Sequence, residues 1–259
     1  MRLPARALSR DRIVVLLALL GVTVLAWLYL LADRQRMADM VMSDMPDMAN
    51  MAMPMTWGPT EFALTFAMWW IMMLGMMLPS AAPTILTFAT MARRQRARGE
   101  KFVPVSIFTI GYLLVWGAFC VAATLLQFSL DQAALLTPML EPTAAWIGGA
   151  LFILGGLYQF TPFKYACLQQ CRSPIAFLLN HWRDGWRGAL RMGWQHGMYC
   201  LGCCWVLMAL LFAVGVMNLA WVAAIAAFVF AEKLLPGGVW IGRIAGVLML
   251  AFGAYLVMG

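Results

Sequence analysis

The chain has 259 residues, of which 64% are hydrophobic and only 11% are charged, and its formal net charge is +7. Soluble domains have about 45–50% apolar and about 25% charged residues. This composition, with a mean hydropathy of +0.82, excludes a soluble enzyme, a disordered tail, a secreted disulfide scaffold and a nucleic-acid-binding module. It indicates a membrane protein that crosses the bilayer several times.

Seven apolar runs follow one another along the chain, and a membrane-spanning helix needs about 20 apolar residues. The runs cover residues 13–32, 61–91, 103–126, 143–162, 190–216, 220–231 and 239–258. The sixth run is short, so six spans with a re-entrant segment at 220–238 are the alternative. The sequence therefore predicts an all-α fold: a polytopic transmembrane helix bundle of seven spans, forming one domain over residues 1–259.

The first apolar run follows a basic start, MRLPARALSRDR. It is too long for the core of a signal peptide, and no small-residue cleavage site follows it, so we interpret it as a retained first helix. Lys and Arg gather at residues 2–12, 93–101 and 164–191, and such residues collect in cytoplasmic loops. We therefore predict a bacterial inner-membrane protein with its N-terminus inside and its C-terminus outside.

The 22 methionines of the chain are unevenly distributed. A Met- and Asp-rich segment, residues 33–57, is predicted to form a loop outside the membrane. Its eight methionines are Met37, Met40, Met42, Met45, Met48, Met51, Met53 and Met55. Thioethers are soft donors that favour Cu(I) over magnesium or zinc, so we predict metal capture here, with Met45, Met48 and Met51 among the ligands. A low-complexity loop without function is the alternative.

A second group of methionines lies in the second apolar run. Met68, Met72 and Met76 follow one another at intervals of four residues and form one helix stripe, flanked by Met73 and Met77. We predict that Met72, Met73, Met76 and Met77 are candidate metal ligands. Ordinary packing in an apolar core is the alternative, because methionine fills cores readily.

Cysteine and histidine cluster in the fifth run, in the string HGMYCLGCC. At about 100° per residue, His196, Cys200, Cys203 and Cys204 share a sector of about 100° on one helix face. A histidine inside a span indicates a functional site. We predict a soft-metal site at these four residues, whereas packing as small apolar residues is the alternative for the cysteines. The spacing is not that of a zinc ribbon, so zinc is weakly supported.

Cys167 and Cys171, four residues apart at the end of the fourth span, are predicted to complete that site from across the bundle. Thiols near the cytoplasm are expected to be reduced. At a rise of about 1.5 Å per residue, the methionine stripe and the His/Cys face lie at similar depth. They would converge if the second and fifth spans are neighbours.

Residues 163–189 are predicted to form a cytoplasmic interfacial segment. Ser173 and Pro174 are a typical start of a helix there, and Gly185 is a typical end. Glu232 and Lys233, at a predicted membrane edge, are expected to pair or to extend toward the interface, with a role in gating or in orienting the cysteines as the alternative.

Glycines recur at the spacing of close helix contacts, which small residues permit in membranes. The spaced pairs are Gly193 with Gly197 and Gly242 with Gly246, and the adjacent pairs are Gly148–Gly149 and Gly155–Gly156. These glycines predict tightly packed helices.

The strings MWWIMMLGMMLPS, FKYACLQQCRSP, HGMYCLGCCWVLM and AEKLLPGG resemble those of a bacterial domain-of-unknown-function family. Its members are described as predicted metal-binding integral membrane proteins, and the resemblance covers roughly residues 61–258. It implies a membrane bundle that binds metal but no established reaction. The matching positions are Met72, Met73, Met76, Met77, Pro79, Cys167, Cys171, His196, Cys200, Cys203, Cys204 and Glu232.

We therefore predict a soft-metal protein, with Cu(I) as the metal, that acts in copper transfer, transport or delivery to a membrane cuproenzyme. No enzymatic activity is predicted. The expected partners are the lipid bilayer and a membrane or periplasmic protein, with no nucleic acid, and the oligomeric state is open. A structural or assembly subunit of a larger membrane complex is one alternative. A thiol redox membrane protein is the other.

Overall fold

The computed structural model describes residues 5–43, 57–99, 103–133, 135, 145–216 and 218–258. Among these residues every regular element is a helix, which confirms the all-α prediction for this part of the chain. The helices are α1 (Ala5–Ser43), α2 (Pro59–Ala97), α3 (Val105–Gln132), α4 (Ala145–Tyr158), α5 (Pro162–Arg172), α6 (Pro174–His181), α7 (Gly185–Ala209), α8 (Leu211–Val214), α9 (Leu219–Leu234) and α10 (Gly238–Met258).

Within the described residues, five helical stretches are long and apolar enough to cross a membrane. They are Arg12–Arg36 in α1, α2, α3, Gly185–Val214 across α7 and α8, and α10. The fourth and sixth predicted spans are helical as well, but α4 has 14 residues and α9 has 16. Both are shorter than the roughly 20 residues of a perpendicular crossing, so the count of seven spans stays a prediction.

The helix α1 continues past the end of the first apolar run to Ser43. The start of the predicted Met/Asp-rich loop, residues 33–43, is therefore helical. Arg, Gln, Met and Ala in this stretch favour helix, and the first proline after it is Pro46. The predicted ligands Met45, Met48 and Met51 lie outside the described residues.

The helix α2 begins where the sequence provides a start signal and then continues through two prolines. Pro59 occupies its first position, and the Glu61 carboxylate accepts the Gly58 N–H at 2.9 Å. Pro79 and Pro83 lie inside the helix, and each removes one backbone hydrogen bond to the preceding turn. Close to these prolines, the Met77 carbonyl accepts from the side chains of Ser80 and Tyr112.

Close contact between α3 and α7 depends on glycine. A side chain at Gly193 would meet the carbonyl of Phe108 on α3, and one at Gly111 would meet the carbonyl of Leu190 on α7. Gly197 packs in the same way against Val115, where a Cβ would lie 2.9 Å from the valine Cβ. The predicted close packing at Gly193 and Gly197 is confirmed.

Of the other predicted glycines, Gly149, Gly156 and Gly246 lie where α4 meets α10, whereas Gly148, Gly155 and Gly242 face Ala213, Leu210 and Glu232. A Cβ at Gly149 would lie 2.9 Å from the carbonyl oxygen of Gly253, and one at Gly156 would lie 2.8 Å from that of Gly246. A Cβ at Gly246 would lie 2.8 Å from the Gln159 Cβ. These two helices therefore touch backbone to backbone.

The two helices that carry the predicted ligands share neighbours. The helix α2 packs on α1, α3, α6 and α9, whereas α7 packs on α3, α4, α5 and α9. The helices α3 and α9 therefore connect the methionine stripe with the His/Cys face.

The segment 163–189 consists of α5, α6 and the start of α7. As predicted, α6 begins at Pro174 directly after Ser173. The predicted end at Gly185 is wrong, because α6 ends at His181, and Gly185, with a φ of 78°, opens α7. This left-handed conformation suits glycine and allows the chain to reverse into the next helix. Phe177 is fully buried, so α6 packs inward on one face.

Candidate metal centre

The His/Cys face of α7 is buried as a unit. Cys200, Cys203 and Cys204 are at most 1% exposed, and His196 is 2% exposed. The Cys203 and Cys204 thiols both donate to the backbone carbonyl of Cys200, with Sγ–O distances of 3.1 and 2.9 Å. The predicted common sector on one helix face therefore faces the protein core.

A fourth thiol comes from α5. The thiol of Cys171 lies close enough to the thiols of Cys200 and Cys203 to interact with them, and the thiol of Cys204 likewise interacts with those of Cys200 and Cys203. We call Cys171, Cys200, Cys203 and Cys204 the thiol cluster. Its four cysteines are free and buried, and they come from two helices that pack on each other.

Cys167 lies beside the thiol cluster with its thiol against α7. A Cβ placed on Gly202 would be 2.7 Å from the Cys167 Sγ, so the thiol packs where Gly202 has no side chain. Of the two α5 cysteines predicted to complete the site, Cys171 interacts with both Cys200 and Cys203, whereas Cys167 interacts with Cys203 alone among the cluster cysteines. Cys120 is buried on α3 and free.

A lysine ammonium lies against the thiol cluster. Lys233, on α9, donates to the Cys200 Sγ at 3.0 Å and to the Ser80 Oγ at 3.1 Å, and it is only 4% exposed. The expectation that Lys233 pairs with Glu232 or extends toward the interface is wrong. Adjacent helical residues point about 100° apart, so Lys233 faces α7 and α2 while Glu232 faces α5.

Hydrogen bonds close a ring around this lysine. The Ser80 Oγ donates to the Met77 carbonyl at 2.9 Å, and the Tyr112 hydroxyl donates to the same carbonyl at 3.2 Å. The Tyr112 hydroxyl also contacts the Cys200 Sγ at 3.2 Å. The ring Lys233–Ser80–Met77–Tyr112–Cys200 therefore joins α9, α2, α3 and α7. Sequence reasoning missed Tyr112, although a tyrosine in the middle of a span signals a buried polar group.

His196 has a ring nitrogen without a partner. Its imidazole lies between aromatic rings, with centroid distances of 5.3 Å to Phe177, 5.6 Å to Tyr112 and 6.1 Å to Phe108. Its Nδ1 is buried without a hydrogen bond, which is unusual for a buried polar atom. This nitrogen is one turn of helix from Cys200 and is free to bind a ligand.

The methionine stripe of α2 lies in the core that also contains the thiols. Met72, Met73, Met76 and Met77 are at most 1% exposed. The structure joins the stripe to the thiol cluster through the Met77 carbonyl and the Tyr112 hydroxyl. Ligation by the thioethers of these four residues stays a prediction.

The described residues do not form a ready coordination shell. Among them, no group of three or more His, Cys, Asp or Glu side chains is placed to hold a metal ion as it stands. In this arrangement the Cys203 and Cys204 thiols donate to a backbone carbonyl and the Cys200 sulfur accepts from Lys233. Four sulfurs and an unpartnered imidazole nitrogen are chemically suited to a soft ion such as Cu(I).

A second buried polar group fixes α5 against α9. The Lys164 ammonium forms an ion pair with Glu232 and also donates to the Gln159 side chain. Arg172 donates to the backbone carbonyls of Glu232 and Leu235. Because α5 carries Cys171, these contacts hold that thiol in place.

Comparison with known proteins gives one match. A family model described as copper chaperone, PpoB2, matches residues 66–256. No curated protein and no solved structure matches the chain. The matched residues include the whole thiol cluster, the hydrogen-bonded ring around Lys233 and His196, and they exclude the Met/Asp-rich segment.

Proposed function

The chain belongs to the copper chaperone family, and from this premise we propose that it binds Cu(I) at the thiol cluster and passes it to an acceptor protein. The ligands in this proposal are drawn from Cys171, Cys200, Cys203 and Cys204, with His196 as a further donor. The observation that carries it is the meeting of four free, buried thiols from α5 and α7.

The chemistry of the donors supports copper over zinc as the cargo. Thiolates and thioethers favour Cu(I), and the core around the cluster adds a methionine stripe on α2. Cys203 and Cys204 are adjacent in sequence and do not have the spacing of a structural zinc site. A chaperone also has to release its metal, and rotatable thiols in a set that is not preformed suit exchange between ligands.

The proposed location is the inner membrane of a bacterium. Five stretches long and apolar enough to cross a bilayer support a membrane protein. With the basic segments 93–101 and 164–191 on the cytoplasmic side, the N-terminus is inside and the C-terminus outside in a seven-span arrangement. Six spans, with 220–238 re-entrant, are the alternative.

Capture and delivery complete the proposal. Outside the membrane, the Met/Asp-rich segment would collect Cu(I), with Met45, Met48 and Met51 as ligands, and ligand exchange would bring the ion to the thiol cluster. The acceptor would be a membrane cuproenzyme or another membrane or periplasmic protein. This role requires no catalytic residue.

The test is metal analysis of matched variants. The full chain is purified anaerobically in mild detergent after growth with copper, and its copper and zinc are measured. We expect copper with the wild type, near-complete loss with Cys200→Ser, and retention with Cys120→Ser. Cys120 is the matched control because it is equally buried but lies on α3.

Two results would contradict the proposal. One is wild-type protein without copper. The other is a Cys200→Ser protein that folds and keeps its copper. Alkylation followed by mass spectrometry on the same samples counts the free thiols. A disulfide between Cys171 and Cys203, in protein without copper, would favour the thiol redox alternative.

A further inference from the structure

The Lys233 ammonium is a buried charge whose hydrogen-bond acceptors are a thiol and a hydroxyl. Burying an ammonium is costly unless an anion or good acceptors compensate it. The acceptors of Lys233 are the Cys200 sulfur and the Ser80 hydroxyl, and neither of them is a carboxylate.

The neighbouring lysine shows the contrast. Lys164 is equally buried, but it forms an ion pair with the Glu232 carboxylate. Glu232 is therefore already paired, and the Lys233 ammonium places its positive charge 3.0 Å from a cluster sulfur.

A metal cargo with the opposite net charge would balance it. A monovalent ion such as Cu(I) or Ag(I) held by two thiolates forms a complex of charge −1, since each thiol loses its proton on binding. Resting on the proposed function, we propose that Lys233 is the counter-charge of the thiol cluster and selectively stabilises a monovalent soft cation bound by two of its thiolates.

The position of Lys233 suits this role with and without the metal. A sulfur that binds a metal keeps lone pairs that accept hydrogen bonds, so the contact from Nζ to the Cys200 Sγ persists in the complex. Without metal, the same ammonium, with Ser80 and Tyr112, closes the ring around the cluster. The site is therefore kept in shape for the incoming ion.

The expected size of the effect follows from Coulomb's law. Two unit charges about 4 Å apart, at an effective dielectric constant near 20, contribute about a thousandfold to an equilibrium constant. Structural relaxation reduces this contribution. We therefore expect the loss of the Lys233 charge to weaken binding of a monovalent ion by about 10²- to 10³-fold.

The decisive experiment compares two ions that use the same two-thiolate geometry. Ag(I) between two thiolates carries charge −1, whereas Hg(II) between two thiolates is neutral. Both ions are titrated into wild type and Lys233→Met in mild detergent, in competition with a small thiol. For Lys233→Met we expect weaker Ag(I) binding and unchanged or tighter Hg(II) binding.

Two variants separate charge from hydrogen bonding. Lys233→Arg keeps the positive charge, and Ser80→Ala removes one acceptor of the ammonium while leaving the charge in place. Both are expected to bind Ag(I) within about tenfold of the wild type. If Lys233→Met does not fold, as judged by circular dichroism, the neutral Lys233→Gln takes its place.

The outcomes distinguish the two proposals. Unchanged Ag(I) affinity in a folded Lys233→Met or Lys233→Gln overturns the counter-charge proposal, as does an equal loss of affinity for Ag(I) and Hg(II). In both cases the proposed function stands. Wild-type protein that binds no Ag(I) and carries no copper overturns the proposed function itself.

Discussion

The buried ion pair of Lys164 and Glu232 is the contact with the largest expected effect on stability at the scale of single residues. Both side chains are at most 3% exposed. Removing one partner of such a pair leaves a buried charge without compensation, whereas replacing both by apolar residues is often neutral. The pair also joins α5 to α9, next to the thiol cluster.

We predict that Glu232→Gln lowers the free energy of unfolding by about 3–5 kcal/mol. The double variant Lys164→Met/Glu232→Met recovers most of this loss. Unfolding in detergent, followed by circular dichroism, gives both values. Asp33→Asn, at a half-buried carboxylate on α1, is the control and changes stability by about 0.5 kcal/mol or less. Equal losses in the single and double variants would contradict the prediction.

At the scale of single residues, the sequence predicted those features of the candidate site that depend on one helix alone. The common face of His196, Cys200, Cys203 and Cys204 follows from the helical period alone. The contacts of Lys233 and Tyr112 do not, because they depend on which helices surround α9 and α3. The partner of Cys171 likewise depends on how α5 packs on α7.

The contact of α3 with α7 determines where the thiols lie at the scale of elements. The carbonyl of Phe108 occupies the space that a side chain at Gly193 would need. The Phe108 carbonyl and the Gly193 Cα both belong to helix backbones, which cannot turn aside as a side chain can. A methyl group at Gly193 therefore forces α3 and α7 apart. Because α7 carries three cluster cysteines, its displacement also disturbs the thiol cluster.

We predict that Gly193→Ala lowers the free energy of unfolding by about 1–3 kcal/mol, the usual cost of overpacking. It is also expected to weaken Ag(I) binding. Gly21→Ala is the matched control, because nothing lies within 4 Å of a Cβ at this helical position of α1. Alanine is expected to stabilise the helix there by about 0.5–1 kcal/mol. A Gly193→Ala protein as stable as the wild type would show that the two helices separate at no cost.

Helices themselves were predictable, whereas some of their ends were not. Each apolar run became a helix, because apolar residues in a membrane-like composition leave few alternatives. The end of α1 at Ser43 and the start of α7 at Gly185 were missed. Hydropathy cannot detect a polar helical extension, and a glycine serves to begin a helix as well as to end one.

The number of crossings is the open question at the scale of the whole molecule. Seven spans place the two termini on opposite sides of the membrane, whereas six spans place them on the same side. The short helices α4 and α9 are the elements on which this count depends.

We predict that reporters fused to the two ends report opposite sides. A fluorescent protein that matures only in the cytoplasm should be bright at the N-terminus and dark after residue 259. Alkaline phosphatase, which is active only outside the cytoplasm, should be active at the C-terminus. The same phosphatase inserted in segment 93–101 is the inactive control. A bright C-terminal fusion would favour six spans.

Which helices lie next to one another was harder to predict from the sequence than the helices themselves. The sequence indicated that the methionine stripe and the His/Cys face share a depth, but it did not show what lies between α2 and α7. The structure places α3 and α9 there. Adjacency of helices distant in sequence depends on the packing of many side chains at once, which no local pattern records.

The hydrogen bond between Cys200 and Lys233 has a consequence for biosynthesis. The two residues are 33 positions apart, and Lys233 comes after the cysteines of α5 and α7 in the chain. During synthesis these cysteines therefore exist before the ammonium does. If Lys233 is the counter-charge of the thiol cluster, as proposed above, copper binding at full affinity would begin only after translation has passed α9.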